Sequence, residues 1–240
     1  MEKEILLDVQ HLSIGFESYN ANVEKVFFNA ISDLNLTVHK GEIVAIVGSS
    51  GSGKSLLAHA VMNILPDNAR TGGRMFYKGE LLTPEVMDRL RGHEIAFIPQ
   101  SVAFLDPLMQ VGDQVVGTLG EKARALQQKA FEHFGLKQSV AKLYPFQLSG
   151  GMARRVLLST SYVAETEMII ADEPTPGLDL KIAIEALKDF RILADQGKGV
   201  ILITHDIDLA LHVADKIAIF YDGRVVETAD TQTFRVTGRG

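Results

Sequence analysis

Apolar positions along the chain follow two rhythms. Near the N-terminus, Ile5–Val9, Leu12–Phe16 and Leu34–Val38 alternate apolar and polar residues. A period of two marks strands with one face buried, so these runs predict half-buried antiparallel strands. Further on, the apolar runs are continuous: Ile43–Val47, Met168–Ala171, Val200–Thr204 and Lys216–Phe220, with Glu94–Pro99 reading the same way. Strands apolar on both sides, separated by helical stretches, predict a parallel sheet covered on both faces. Helical periodicity is read over Leu56–Leu65, where Pro66 stops it, over Ala153–Val163 and over Leu180–Gln196. Thr71-Gly72-Gly73 reads as a turn ahead of Met75-Phe76-Tyr77. Between Val111 and Leu143 the helical period dominates, which predicts a helical insertion within the strand–helix alternation.

One segment carries specific chemistry. Gly48-Ser49-Ser50-Gly51-Ser52-Gly53-Lys54-Ser55 matches G-x-x-x-x-G-K-[ST] and lies between a buried strand and a helix. Glycines there let backbone N–H groups curl around phosphates, the helix start adds its positive end, Lys54 adds a charge, and Ser55 can ligate Mg²⁺. The segment predicts binding of a nucleoside triphosphate with magnesium. Asp172 and Glu173 close an apolar strand at the sheet edge where the phosphates would lie; Asp172 is placed for the magnesium shell and Glu173 to polarise a water. Ser149, Gly150 and Gly151 open a helix and form a second anion-binding nest. Gln100 and His205 each follow a predicted strand at the same edge.

Composition narrows the classes. The 240 residues are 46% hydrophobic and 22% charged, with a formal net charge of −6. An acidic balance argues against nucleic acid as the main partner. Cysteine is absent, which excludes disulfides and thiolate metal sites, and the six histidines other than His205 show no metal-ligand spacing. The start, Met1 to Asp8, lacks the pattern of a signal peptide, and no apolar run approaches the ~20 residues of a membrane span. Any spanning of a membrane falls to other chains.

The phosphate loop, Gln100, Leu148-Ser149-Gly150-Gly151-Met152, Asp172-Glu173, Asp179 and His205 follow the order and spacing of an ABC transporter ATPase subunit. The resemblance covers essentially the whole chain, and Leu-Ser-Gly-Gly is its most specific element. It implies an α/β fold: a phosphate-loop, RecA-like core with a mostly parallel sheet, an N-terminal antiparallel β subdomain and an inserted helical subdomain. On that reading residues 1–240 form one domain, with 1–99 and 164–240 as catalytic core and β subdomain, and 100–163 as the helical subdomain with the signature.

The resemblance also assigns roles. Glu173 would be the catalytic base and Asp172 the magnesium carboxylate. Gln100 would touch magnesium and water and sense the membrane subunits, and His205 would contact the γ-phosphate. Asp179 would lie in a loop reaching across a dimer, and Ser149 and Gly151 would bind the γ-phosphate of the opposite subunit. Phe16 best matches the aromatic that stacks on adenine, with Phe27 and Phe28 as rivals.

Leu143 to Met152, with Met152 where most members have Gln, and Leu105-Asp106-Pro107 followed by Val111-Gly112-Asp113-Gln114 resemble the dipeptide, oligopeptide and nickel importer group. Arg154 and Pro176-Gly177 depart from the family pattern, and the chain stops at Gly240 where this group usually runs on. The implied partners are two permease subunits, a second ATPase subunit, identical or homologous, and indirectly an extracytoplasmic binding protein. The implied location is the cytoplasmic face of the membrane. An ABC exporter subunit is the nearest alternative, with DNA-repair or translation ABC ATPases further off.

Overall fold

The computed structural model describes residues 3–19, 25–100, 104–117, 121–175 and 180–233. Two sheets organise these residues. The first has four strands in the order β2-β1-β4-β5, formed by β1 (Ile5–Tyr19), β2 (Lys25–His39), β4 (Ala69–Tyr77) and β5 (Glu80–Leu81), all pairing antiparallel. The alternating N-terminal runs belong here, and the two runs up to Phe16 are one continuous strand rather than two. Thr71, Gly72 and Gly73 do not form a turn; they lie inside β4. Gly73 has φ +87°, and a Cβ there would come within 2.3 Å of the His11 carbonyl oxygen. Pairing with β1 shifts register between Gln10 and Ser13 at this point, so the glycines mark a bulge.

The second sheet has six strands in the order β10-β9-β3-β8-β7-β6. It comprises β3 (Ile43–Val47), β6 (Ile95–Ile98), β7 (Met168–Asp172), β8 (Gly199–Thr204), β9 (Lys216–Tyr221) and β10 (Arg224–Asp230). The five strands from β9 to β6 run parallel, and β10 returns antiparallel as a hairpin. The fold is α/β, as the continuous apolar runs predict. All five residues of β3, of β7 and all six of β8 are buried.

Alternation within those strands divides the core. Ile43, Ala45, Val47, Ile169, Ala171, Val200 and Leu202 face a layer of helices. These are α3 (Val111–Val116), α4 (Glu121–His133), α5 (Gly150–Val163), α6 (Leu180–Asp195) and α7 (Ile207–Val213). Val44, Ile46, Met168, Ile170, Ile201 and Ile203 face α1 (Lys54–Val61), α2 (Pro84–Leu90) and the antiparallel sheet. The second face is thus covered by a sheet as well as by helices. Each fully buried Val, Leu, Ile or Met among these contributes about 1.5–3 kcal/mol relative to exposure.

Local signals set the helix ends. Helix α1 is shorter than the Leu56–Leu65 reading: Asn63 has φ +52° and the chain leaves the helix there. Helix α2 starts where Thr83 accepts a hydrogen bond from the Val86 N–H and Pro84 takes the first turn. Helix α5 begins directly at Gly150, with Ser149 as its cap accepting from the Met152 N–H at 3.3 Å.

Candidate functional site

The phosphate loop spans the turn from β3 into α1. Gly48 must be glycine, because an added Cβ would sit 2.2 Å from the Phe220 carbonyl oxygen of β9. Its N–H donates to the Thr204 carbonyl of β8 at 3.4 Å, so the loop rests on both neighbours of β3. Gly53 caps α1 in the left-handed region, at φ 101°. Lys54 is 5% exposed, and its Nζ donates to the carbonyls of Gly48 at 2.8 Å and Ser49 at 2.7 Å. Burial pushes its pKa down, opposed by the charges of Glu173 and Asp172. An ammonium held by carbonyls and within the influence of two carboxylates is positioned to receive phosphate oxygens. Ser49, Ser50 and Gly51 form the exposed curve of the loop, and the half-buried Ser52 donates through Oγ to the Ser49 carbonyl at 2.7 Å.

The carboxylates stand at the end of β7. Asp172 is 5% exposed, and its Oδ1 has no hydrogen-bond partner. Burial raises its pKa; a hydrogen bond with Ser55 acts in the opposite direction and the Glu173 charge adds to the rise. A buried orphan carboxylate oxygen beside a serine hydroxyl offers two hard oxygen ligands, which suits Mg²⁺ shared with phosphates. Glu173 has left-handed backbone at φ 45°, and its N–H donates to the Ile203 carbonyl at 2.9 Å. Its Oε2 lies 2.8 Å from His205 Nδ1, with the glutamate side chain 14% exposed and the imidazole 57%. His205 follows β8 and faces the carboxylate across the strand pair.

Of the residues the sequence singled out, the structure gathers Gly48 to Ser55, Asp172, Glu173 and His205 at the C-terminal edge of the parallel strands. Gln100 emerges at the same edge, two residues beyond Ile98 of β6, and is exposed. Asp179, with Pro176 and Gly177, lies outside the described residues. Ser149, Gly150 and Gly151 are exposed at the start of α5, and nothing lies within 4 Å of a Cβ added at either glycine. They leave an open surface at the start of that helix.

Phe16 is half-buried against the sheet core and pairs across the strands with Phe28, which is 62% exposed; Phe27 is 57% exposed. Phe16, Phe27 and Phe28 all sit on the antiparallel sheet beside Gly15, whose backbone the Phe27 ring approaches.

Sequence reasoning missed His59, whose charge acts on Asp172. Its signal was available: His59 is four residues after Ser55, on the same helical face. Arg154 is only 8% exposed, its pKa is lowered by burial, and its Nε has no hydrogen-bond partner. Among the described residues no cluster of three or more His, Cys, Asp or Glu side chains could hold a metal ion by itself.

The chain is similar to characterised proteins. The sequence profile of the ABC transporter family matches residues 31–176. The oligopeptide transport ATP-binding protein OppD of Bacillus subtilis is 34% identical over 241 residues, 93% of this chain and 65% of that protein. OppD of Lactococcus lactis subsp. cremoris is 35% identical, covering 97% of this chain and 72% of that protein. The dipeptide transport ATP-binding protein DppD of Bacillus subtilis is 34% identical, covering 95% and 70%. The chain thus spans about two thirds of the length of these relatives. Among solved structures, the dimeric ATP-binding cassette MJ0796 bound to ADP and Pi matches with a TM-score of 0.78 at 24% identity, covering 94% of this chain and 99% of that one. CbiO1 from Clostridium perfringens, part of the complex cbiONQ, matches with a TM-score of 0.76 at 23% identity, covering 99% and 92%. With the phosphate loop, the paired carboxylates and the Leu-Ser-Gly-Gly helix start in place, the chain belongs to the ABC transporter family.

Proposed function

We propose that this chain is the ATP-hydrolysing subunit of a peptide importer, a single ABC ATPase domain with its core in 1–99 and 164–240 and its helical subdomain in 100–163. The observation that carries the ATPase reading is the convergence of Lys54, Ser55, Asp172, Glu173 and His205 at one sheet edge. Import of peptides is favoured over a nickel chelate because OppD and DppD are named for oligopeptide and dipeptide transport. The same relatives weigh against the exporter reading.

In this reading Lys54 leaves the Gly48 and Ser49 carbonyls for the β- and γ-phosphates. Ser55 and Asp172 would hold magnesium, whose contribution when bound would be to neutralise charge on the transferred phosphoryl group. Glu173 takes a proton from the attacking water, and His205 orients that carboxylate through Nδ1 while facing the γ-phosphate. Gln100, just beyond the end of β6, would reach the magnesium and its water and sense the membrane subunits. Phe16, Phe27 or Phe28 covers the adenine, and Asp179 meets a second ATPase subunit. The subunit lies on the cytoplasmic face of the membrane, docked on two permeases whose cargo is delivered by an extracytoplasmic binding protein. No helix among the described residues is long and apolar enough to cross a membrane; in this reading the permeases span it.

The test is peptide uptake by membrane vesicles containing the assembled transporter. Glu173→Gln should retain ATP binding while turnover and uptake fall by about 10²–10⁴-fold, the usual worth of general-base assistance. Hydrolysis by Glu173→Gln at the wild-type rate would remove Glu173 from its role.

A further inference from the structure

An aromatic pair, half-buried Tyr144 and exposed Phe146, stands immediately before the signature helix. Tyr144 and Phe146 stack with centroids 5.8 Å apart and ring planes 12° from parallel, and Phe146 is 76% exposed. A large aromatic left in water beside a helix start is unusual, because rings of this size dominate cores and interfaces. The turn that presents it is fixed. Gln147 Oε1 accepts from the Tyr144 N–H at 2.9 Å, and the Gln147 N–H donates to the Tyr144 carbonyl at 2.9 Å. The Leu148 N–H donates to the Pro145 carbonyl at 3.1 Å, and Pro145 fixes its own φ. The ring is held out by the backbone.

Three residues later the chain offers a different recognition element, the open Ser149–Gly151 nest at the start of α5. Three residues span at most about 10–11 Å between Cα positions. That reach is comparable to the ribose and triphosphate that separate a γ-phosphate from its base. Between Leu143 and Ala153 the chain has no charged side chain, so the turn offers a π-face and N–H donors only. One molecule matches an anion site and a flat apolar face at that separation: a nucleotide.

We infer that Tyr144 and Phe146 form a platform that stacks on the purine base of the nucleotide whose γ-phosphate meets the Ser149–Gly151 nest. That nucleotide is the one on the phosphate loop of the second ATPase subunit. The inference rests on the composite-site reading above and adds a recognition role that the nest alone does not supply. A single aromatic on the antiparallel sheet covers one face of a base. The platform covers the other, and makes closure of two subunits depend on the base as well as on the phosphates.

The experiment uses the assembled transporter, purified through a tag on this chain, with Phe146→Ala, Phe146→Trp and Gly151→Asp. Stacking of a base on an aromatic ring is worth enough that Phe146→Ala should raise KM for MgATP by about tenfold. The kcat at saturating ATP should stay near wild type, and Phe146→Trp should restore KM. Inhibition by inorganic tripolyphosphate, which has no base, should be the same in wild type and Phe146→Ala. ATP binding to the isolated chain should be unaffected, because the platform serves the partner's nucleotide. Unchanged KM in Phe146→Ala while Gly151→Asp cripples turnover overturns the platform and leaves the composite site standing. Full turnover in Gly151→Asp overturns the composite site and the platform with it. Weaker ATP binding by isolated Phe146→Ala, or loss of the permeases on purification, assigns the ring to this chain's own site or to a protein contact and equally overturns the inference.

Discussion

At the scale of single residues, the site is a set of groups held in unfavourable surroundings. Lys54 is buried, and two carboxylates lie close enough to act on it. Lys54→Ala should therefore lose ATP affinity severely, with the fold retained, when binding is measured by calorimetry. Asp172 gives a prediction with a definite sign. Burial raises its pKa in the folded state, so the native chain holds that proton more tightly than the unfolded chain does. Its contribution to stability is full below the unfolded carboxylate range and is lost as pH rises through the raised native value. At pH 7.5 the ionised group destabilises the nucleotide-free protein. Asp172→Asn should then raise Tm in chelator. The gap should close toward pH 4, and magnesium-dependent hydrolysis should be lost. A lower Tm for Asp172→Asn at pH 7.5 would contradict the orphan-oxygen assignment. Most of these residues were legible in the sequence because their spacing is a backbone requirement: Gly48 has no room for a Cβ, and Ser55 must follow Lys54 into the helix. The burial of Arg154 was not legible, because it depends on what packs against its helix from elsewhere in the chain, whereas His59 could have been read from its spacing to Ser55.

At the scale of elements, the segment after β6 invites a partner. Phe104 is 67% exposed and Leu108 87%, while Leu105 is 4% exposed and anchors the loop. Gln114 fixes the turn, accepting from the Asp106 N–H at 2.9 Å and donating to the carbonyls of Asp106 and Met109. Phe104 borders a groove of about 360 Å³ with Ile64, Phe97 and Thr160 on its walls. Val102 and Ala103 of the same apolar stretch lie outside the described residues. If the groove receives a short helix from a permease, Phe104→Asp should abolish uptake in vesicles while the isolated subunit keeps its far-ultraviolet circular dichroism and Tm. Unfolding of Phe104→Asp would show that the ring is needed by the subunit itself. Element legibility followed burial. Strands β3, β7 and β8 announce themselves because both faces are apolar. Helices α2 and α7 and strand β10 went unread; each is a seven-residue element. The Thr83-Pro84 cap and first turn was the overlooked signal for α2. The glycines of β4 misled because a bulge and a turn ask for the same residue.

At the scale of the whole molecule, the phosphate loop and the Ser149–Gly151 nest are separate surfaces, and the nest is open. The chain alone should be largely monomeric and a weak ATPase, and a cognate second ATPase subunit or the assembled permease should raise turnover. Gly151→Asp should cripple hydrolysis at the partner's phosphate loop more than ATP binding at its own, because it sets a negative charge against the γ-phosphate. Light scattering of Glu173→Gln with and without ATP reports the assembly, and a tight ATP-dependent homodimer of full activity would replace the two-chain arrangement with a symmetric one. The backbone of Glu173 bears on the molecule's history as well as its chemistry. A non-glycine residue in the left-handed region costs on the order of 1 kcal/mol, and here it is the proposed base that occupies it. Glycine at 173 would relax that strain in a protein that has no more than about 5–15 kcal/mol of stability in total. A library of this gene sorted only for heat resistance would therefore enrich Glu173→Gly, and repeated rounds would converge on a sturdier nucleotide-binding protein that no longer works as an engine.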